Sequence, residues 1–300
     1  MLDPSSFLYD QKAPVVLTVL SERVQDEAII QDVSYASPQG GKVSGYLVVA
    51  RESKPRAGLI FGHWGEGNRA EFVEEAVILT RLGFVSLCLD APFRRPEEYE
   101  PQLAEPQQGD LQWIMDVRRG VDLLLEHFAL SPDALGYVGH SYGATFGGAI
   151  AGIERRIKAY VLMAGWYSLS DLMRTSSHPL IERDRNETPP EEFQAYLTAM
   201  APLDACHYIG NAAPAHLFFQ FARNDDFVPV KDAERYFELA SEPKKIAWYD
   251  NCGHELSAQA RLDRAIFLCQ QLGLAPPHQE ILKLLESVPS LVPLAGWADE

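Results

Sequence analysis

The sequence predicts an α/β fold: a mostly parallel central sheet flanked by helices, with a small helical cap insertion. Three observations carry that prediction. Short apolar runs alternate with longer amphipathic segments along most of the chain, the pattern of repeated strand and helix units. Gly139-His140-Ser141-Tyr142-Gly143 lies between an apolar run at residues 135–138 and a small-residue run at residues 144–151. A strand there feeds a helix through a tight serine-bearing turn. Residues 167–201 break the rhythm, being polar and punctuated by His178-Pro179 and Thr188-Pro189-Pro190.

In chain order, strands are expected at residues 29–35, 46–50, 58–61, 84–89, 135–138, 159–163, 216–221 and 245–249. Gly40-Gly41 marks an antiparallel turn between the first two. Helices are expected at residues 71–82, 110–128, 141–152, 231–239 and 255–272. In the second of these, Leu111, Ile114, Met115, Val121, Leu124, Leu125 and Phe128 recur along one helical face. Pro132 stops that helix short of the next strand. Residues 191–200 form a further helix begun by a proline pair, one of two or three in the insertion. No stretch reads as a linker, so residues 1–300 are expected to form one domain with the insertion at 167–201. A tail from Pro276 onward departs from the alternation, and residues 281–285 could add one more helix.

Composition narrows the function. An apolar content of 47% supports a large core and argues against disorder. A formal charge of −16 with no basic stripe argues against a nucleic-acid partner. The N-terminus lacks the basic and apolar segments of a signal peptide, and no apolar run approaches a membrane span. Cys88, Cys206, Cys252 and Cys269 are scattered without C-x-x-C pairing, so neither a metal site nor a disulfide framework is expected. These features point to a cytoplasmic protein without cofactor or membrane partner. The oligomeric state is left open, a homo-oligomer included.

The pentapeptide G-x-S-x-G arises by chance in roughly one chain in ten of this length, given average glycine usage. The strand before it and the helix after it remove most chance matches. A serine hydroxyl is a weak nucleophile and needs a base, with a further group to orient that base. On such a sheet the partners follow in the order Ser, Asp or Glu, His. Of the eight histidines, those upstream of Ser141, His63 and His127 among them, fall on the wrong side for that order. His254 sits on a loop leaving the last expected strand, at the edge where open α/β sheets build their sites. His207 and His216 are weaker candidates. Asp225 and Asp226 both follow the apolar strand at 216–221, and position alone does not separate them. Asp171 is a third option in a helix-capping context. The oxyanion needs two donors. One is the backbone N–H of Tyr142 at the helix start. The other comes from the glycine-rich loop Gly62-His63-Trp64-Gly65-Glu66-Gly67.

From about residue 29 to residue 272 the chain resembles the α/β-hydrolase superfamily. The segment Gly-His-Ser141-Tyr-Gly matches its nucleophile motif. Asp225-Asp-Phe-Val-Pro229 is similar to its acid motif, an aspartate ahead of Val-Pro, which selects Asp225 over Asp226. Tyr249-Asp-Asn-Cys-Gly-His254 resembles its closing Gly-His. The branch most similar is the dienelactone-hydrolase-like and acyl-esterase one, through His63-Trp-Gly-Glu-Gly-Asn-Arg69 and Leu89-Asp-Ala-Pro92. Dienelactone hydrolases carry cysteine at the elbow, so their specific activity does not transfer to Ser141. Trp64 stands where that branch has glycine after the histidine, which leaves the amides of Trp64 and Gly65 as alternative second donors. The resemblance implies a serine hydrolase of small-molecule carboxylic esters with Ser141, Asp225 and His254 as catalytic residues. Trp166 and Tyr167, with Trp64 and Tyr142, are the expected aromatic walls of the pocket. A peptidase or amidase is the alternative, because Gly-x-Ser-Tyr-Gly also resembles the prolyl-oligopeptidase branch. That branch usually adds a large N-terminal propeller, for which this chain has too little sequence ahead of the first core loop. A non-catalytic binding protein of the same fold is the third reading, and it would be expected to lack a triad residue.

Overall fold

Nine strands of one sheet take up the apolar runs among the described residues, which are 1–99 and 108–289 of this computed structural model. They are β1 (Thr18–Gln25), β2 (Ala28–Ala36), β3 (Lys42–Ala50), β4 (Ala57–Gly62), β5 (Phe84–Leu89), β6 (Leu135–His140), β7 (Ala159–Met163), β8 (His216–Ala222) and β9 (Lys244–Tyr249). The order across the sheet is β1-β2-β3-β5-β4-β6-β7-β8-β9. The first three strands pair antiparallel and β3 joins β5 antiparallel, while every later pairing is parallel. β4 to β7 are buried on both faces, which is why they read as continuous apolar runs rather than alternations.

β1 was not expected from the sequence. Its residues are exposed on both sides nearly throughout, so no apolar face marks it. Main-chain pairing with β2 holds it, with a bulge between Val19 and Ser21.

The helices are α1 (Val73–Leu79), α2 (Gln108–Phe128), α3 (Tyr142–Ile153), α4 (Leu169–Thr175), α5 (Pro179–Glu187), α6 (Pro190–Met200), α7 (Val230–Leu239), α8 (Ala258–Gln271) and α9 (Gln279–Ser287). One face of the sheet packs on Trp113, Ile114 and Val121 of α2, Phe146 and Ile150 of α3, and Tyr236 of α7. The other packs on Val73 and Val77 of α1, Phe267 and Leu268 of α8, and Ile281 and Leu285 of α9. Each such side chain contributes about 1.5–3 kcal/mol by leaving water. α4, α5 and α6 follow one another between β7 and β8. Of the tail, α9 packs against this second core, and residues 290–300 lie outside the described residues. Among the described residues no helix is long and apolar enough to cross a membrane.

Two registers set up the site. Gly62 of β4 pairs with Gly139 of β6, which puts the loop after β4 beside the serine turn. Ala222 of β8 pairs with Tyr249 of β9, which puts the Asp225 and His254 loops side by side. α8 begins three residues later than the sequence suggested. Leu256 has φ 60° and Ser257 caps the helix by accepting the N–H of Ala260, so His254 stays on a loop.

Candidate active site

Ser141 stands between β6 and α3 with φ 50° and ψ −106°, a left-handed conformation for a residue with a side chain. Such a backbone costs about 1–3 kcal/mol and persists only where its surroundings over-determine it. Here its N–H donates to the Met163 carbonyl at 2.8 Å. Its carbonyl accepts from the Thr145 N–H at 2.8 Å and from Thr145 Oγ1 at 2.9 Å. The flanking glycines are steric requirements. A Cβ on Gly139 would collide with the Gly143 carbonyl, and one on Gly143 with the Gly62 carbonyl.

Asp225 lies three residues beyond the end of β8. Its Oδ1 accepts the N–H groups of Phe227 and Val228 at 2.8 and 3.0 Å, a turn that fixes the carboxylate. His254 Nδ1 lies 3.0 and 2.9 Å from its two oxygens. The Asp225 side chain is wholly buried and that of His254 is 11% exposed. With Nδ1–H donating to the carboxylate, the Nε2 lone pair is left to act as a base. Asp226, which position alone could not separate from Asp225, is exposed. Asp171 is engaged elsewhere, accepting from the Tyr167 hydroxyl at 2.7 Å and Arg174 Nη1 at 2.9 Å. His207 is exposed, and His216 opens β8 at the opposite edge of the sheet. The structure therefore joins Asp225 and His254 directly. Ser141 reaches them through its neighbour His140, whose ring centroid lies 5.2 Å from that of His254. No hydrogen bond joins Ser141 Oγ to His254 among the described residues. Such contacts commonly tighten only once substrate binds.

The two candidate amides of the β4 loop part company. The Trp64 N–H donates to Glu71 Oε2 at 2.8 Å, so the expectation that it serves the oxyanion is corrected. No hydrogen bond engages the Gly65 N–H among the described residues, and a Cβ built on Gly65 would meet nothing within 4 Å. Gly65 thus faces open space beside the elbow. The Tyr142 N–H begins α3, where the first amides lack helical partners and favour negative charge. His63 braces the loop from below. Its Nε2 accepts the Ala91 N–H at 2.9 Å and its Nδ1–H donates to the Trp64 carbonyl at 2.5 Å, which defines a neutral ring. Burial holds its pKa below the usual value.

Sequence reasoning passed over Glu71 and His140. His140 occupies the variable position of the pentapeptide and is 1% exposed. Its Nδ1 lies 2.7 Å from Glu71 Oε1 and its Nε2 lies 2.8 Å from the His254 carbonyl. The sequence signal was a histidine in a pattern slot that carries no assigned chemistry. Asp110 also went unread. It accepts the Tyr142 hydroxyl at 2.9 Å, and burial pushes its carboxyl up to about 7. The Tyr142 ring packs 4.8 Å from Phe146 and 5.1 Å from Phe93. At the N-terminus of α5, His178 stacks on Phe227 at 3.7 Å, and Phe227 lies 4.8 Å from the His254 ring. Of the expected pocket residues, Trp166 is 5% exposed and belongs to the core, offering little surface to a ligand. Tyr167 is half-buried with its hydroxyl on Asp171. Asp204, Cys206 and His207 converge, but Asp204 already accepts from Ser168 Oγ at 2.8 Å, from Ser170 Oγ at 2.5 Å and from the Ser170 N–H at 3.1 Å.

With this geometry in place, comparison with known proteins gives the family. The sequence model of the prolyl oligopeptidase family matches residues 95–267, a span that includes Ser141, Asp225 and His254. The chain belongs to the prolyl oligopeptidase family. The match falls on the branch that only Gly-x-Ser-Tyr-Gly suggested in the sequence, within the same superfamily. No curated protein matches the chain by sequence. Among solved structures, the chain is similar to an acetyl xylan esterase from Paenibacillus sp. R4, with TM-score 0.71 and 20% identity over 88% of this chain and 91% of that one. It is also similar to acetyl xylan esterase 1 from Thermoanaerobacterium sp. JW/SL YS485, with TM-score 0.64 and 16% identity over 90% and 87%. An alpha/beta hydrolase from Penicillium sp. sh18 follows at TM-score 0.63 and 17% identity over 81% and 99%. At these identities the likeness establishes the fold, which is that of the α/β hydrolases.

Proposed function

We propose that the protein is a serine hydrolase that cleaves a small-molecule carboxylic ester through an acyl-enzyme intermediate. The observation that carries this is the Asp225–His254 contact, set on adjacent loops beside a serine held at φ 50°. Ser141 Oγ attacks the acyl carbon as His254 Nε2 takes the hydroxyl proton. The oxyanion that forms is met by the amides of Tyr142 and Gly65. His254 then passes its proton to the leaving alcohol as the carbon–oxygen bond breaks. Water repeats the sequence, giving the acid and restoring the serine. Asp225 keeps the proton on Nδ1 and stabilises the charged ring. Support for an ester over other acyl compounds comes from the two fold neighbours named as acetyl xylan esterases. Family membership favours a second reading, amide cleavage.

One experiment separates these readings. Purified protein is exposed to a fluorophosphonate probe and assayed on a p-nitrophenyl acyl ester and an aminoacyl p-nitroanilide. Labelling at Ser141, lost in Ser141→Ala, together with faster ester cleavage is the expected result. Dominant anilide cleavage sinks the ester reading, and absence of labelling sinks the enzyme reading altogether.

A further inference from the structure

We propose that His140 is a doubly protonated positioning residue that ties the loop bearing the second oxyanion amide to the loop bearing the general base. The inference rests on the hydrolase reading above for its functional half, while its protonation half is independent of that reading.

A carbonyl oxygen can only accept, so the 2.8 Å contact with the His254 carbonyl places a proton on His140 Nε2. Glu71 Oε2 accepts the Trp64 N–H, as a carboxylate does. Its Oε1 lies 2.7 Å from His140 Nδ1, a contact that needs one proton between the two atoms, and we assign it to the ring as the more basic partner. Both side chains are 2% exposed, so the pair sits outside the reach of solvent screening. Burial alone would lower the pKa of this ring, but the Glu71 carboxylate and the His254 carbonyl outweigh it, and the net direction is upward. The titratable groups facing the ring are Glu71, Asp225 and His254. Because Glu71 balances the charge, the pair as a whole presents none to His254 when that ring takes its proton.

The mechanical consequence follows from connectivity. Trp64 precedes Gly65, Glu71 holds the Trp64 amide, His140 holds Glu71, and His140 also holds the main chain of His254. Ser141 is the next residue along. One buried ion pair therefore sets the spacing between oxyanion donor, nucleophile and base. Catalytic geometry of this kind must be kept within about 0.5 Å. His63, two residues from Gly65, shows the opposite pattern: its Nε2 accepts from a main-chain N–H, so that ring is neutral.

The test has two arms. In the first, ¹⁵N NMR of histidine-labelled enzyme reads ring protonation without reference to activity. Both nitrogens of His140 are expected to carry protons across roughly pH 6 to 9, where an ordinary histidine would lose one. A neutral His140 ring at pH 7 overturns the assignment. In the second, His140→Phe keeps a ring against His254 without donors, and His140→Gln restores one donor. With p-nitrophenyl ester, kcat should fall by on the order of 10²-fold in the Phe variant with KM nearly unchanged. The Gln variant should recover part of that loss. In Glu71→Gln burial is the largest influence left on the ring, so ¹⁵N NMR should find His140 with a single proton at pH 7, where the wild type keeps both. A loss confined to KM in the Phe variant overturns the positioning role, and a doubly protonated ring in Glu71→Gln at pH 7 overturns the part given to Glu71. Should Ser141 fail to take the fluorophosphonate, the hydrolase reading fails while the NMR arm still decides the protonation.

Discussion

On the sheet side of the site, Ser141 and the β4 loop are fixed by main-chain hydrogen bonds, by buried histidines and by glycines that admit no side chain. On the side of α5 and α6, His178 reaches the site by one ring stack, and Tyr196 comes near Asp110. The first wall has many mutually dependent contacts and no slack. The second meets it here through the His178 and Tyr196 rings. Reactions need donors and nucleophile held rigidly, whereas selectivity needs surfaces that vary. Under the proposed function, the contrast puts chemistry on the sheet wall and substrate preference on the helical wall.

That division can be broken experimentally, starting where the effect should be greatest. Asp225→Asn keeps the turn acceptor but removes the charge that orients His254, and kcat on an activated ester should fall by roughly 10³–10⁴-fold. A loss under tenfold would mean that the sheet wall is not the catalytic one. Asp110 lies where the walls meet, between the Tyr142 hydroxyl and Tyr196. Its folded-state pKa of about 7 exceeds the ordinary 3.8, so between those values the native state holds a proton that the unfolded chain has released. Stability should therefore decrease as pH rises through that window. Asp110→Asn should flatten this slope, raising Tm at pH 8 by about 2–4 °C for each kcal/mol recovered. Melts at pH 5 and 8 on both proteins check this; equal slopes would show that Asp110 is not the group responsible. The smallest effect belongs to His178→Ala. An aromatic pair is worth about 0.5–1.5 kcal/mol, so KM should rise by no more than about tenfold with kcat unchanged. A collapse of kcat at this position would erase the difference between the walls.

The sequence carried these features unevenly, for physical reasons. Apolar runs encode burial, so β4 to β8 were legible nearly to their ends. β1 was not, because its pairing depends on main-chain groups that every residue possesses. Ser141 announced itself by local pattern, and His254 by its place after the last strand. Asp225 and Asp226 looked alike by position; the resemblance to the Val-Pro motif chose Asp225, and the fold buries it and exposes Asp226. The choice between Trp64 and Gly65 turned on Glu71, seven residues past Trp64, which had read as the start of a helix. His140 was hidden in plain view, since a spacer in a motif says nothing about the two loops that its ring will meet.

Gly65 has an implication for anyone selecting variants of this protein. With no atom within 4 Å of its missing Cβ, an alanine there meets no obstacle from the rest of the chain. Screens that score expression or heat resistance would pass it as harmless. Under the proposed role of the Gly65 amide, the added methyl would nonetheless crowd the space beside that amide, where an acyl oxygen would settle. Tolerance at this position is therefore a property of the empty enzyme, and only a turnover-based selection would register the loss.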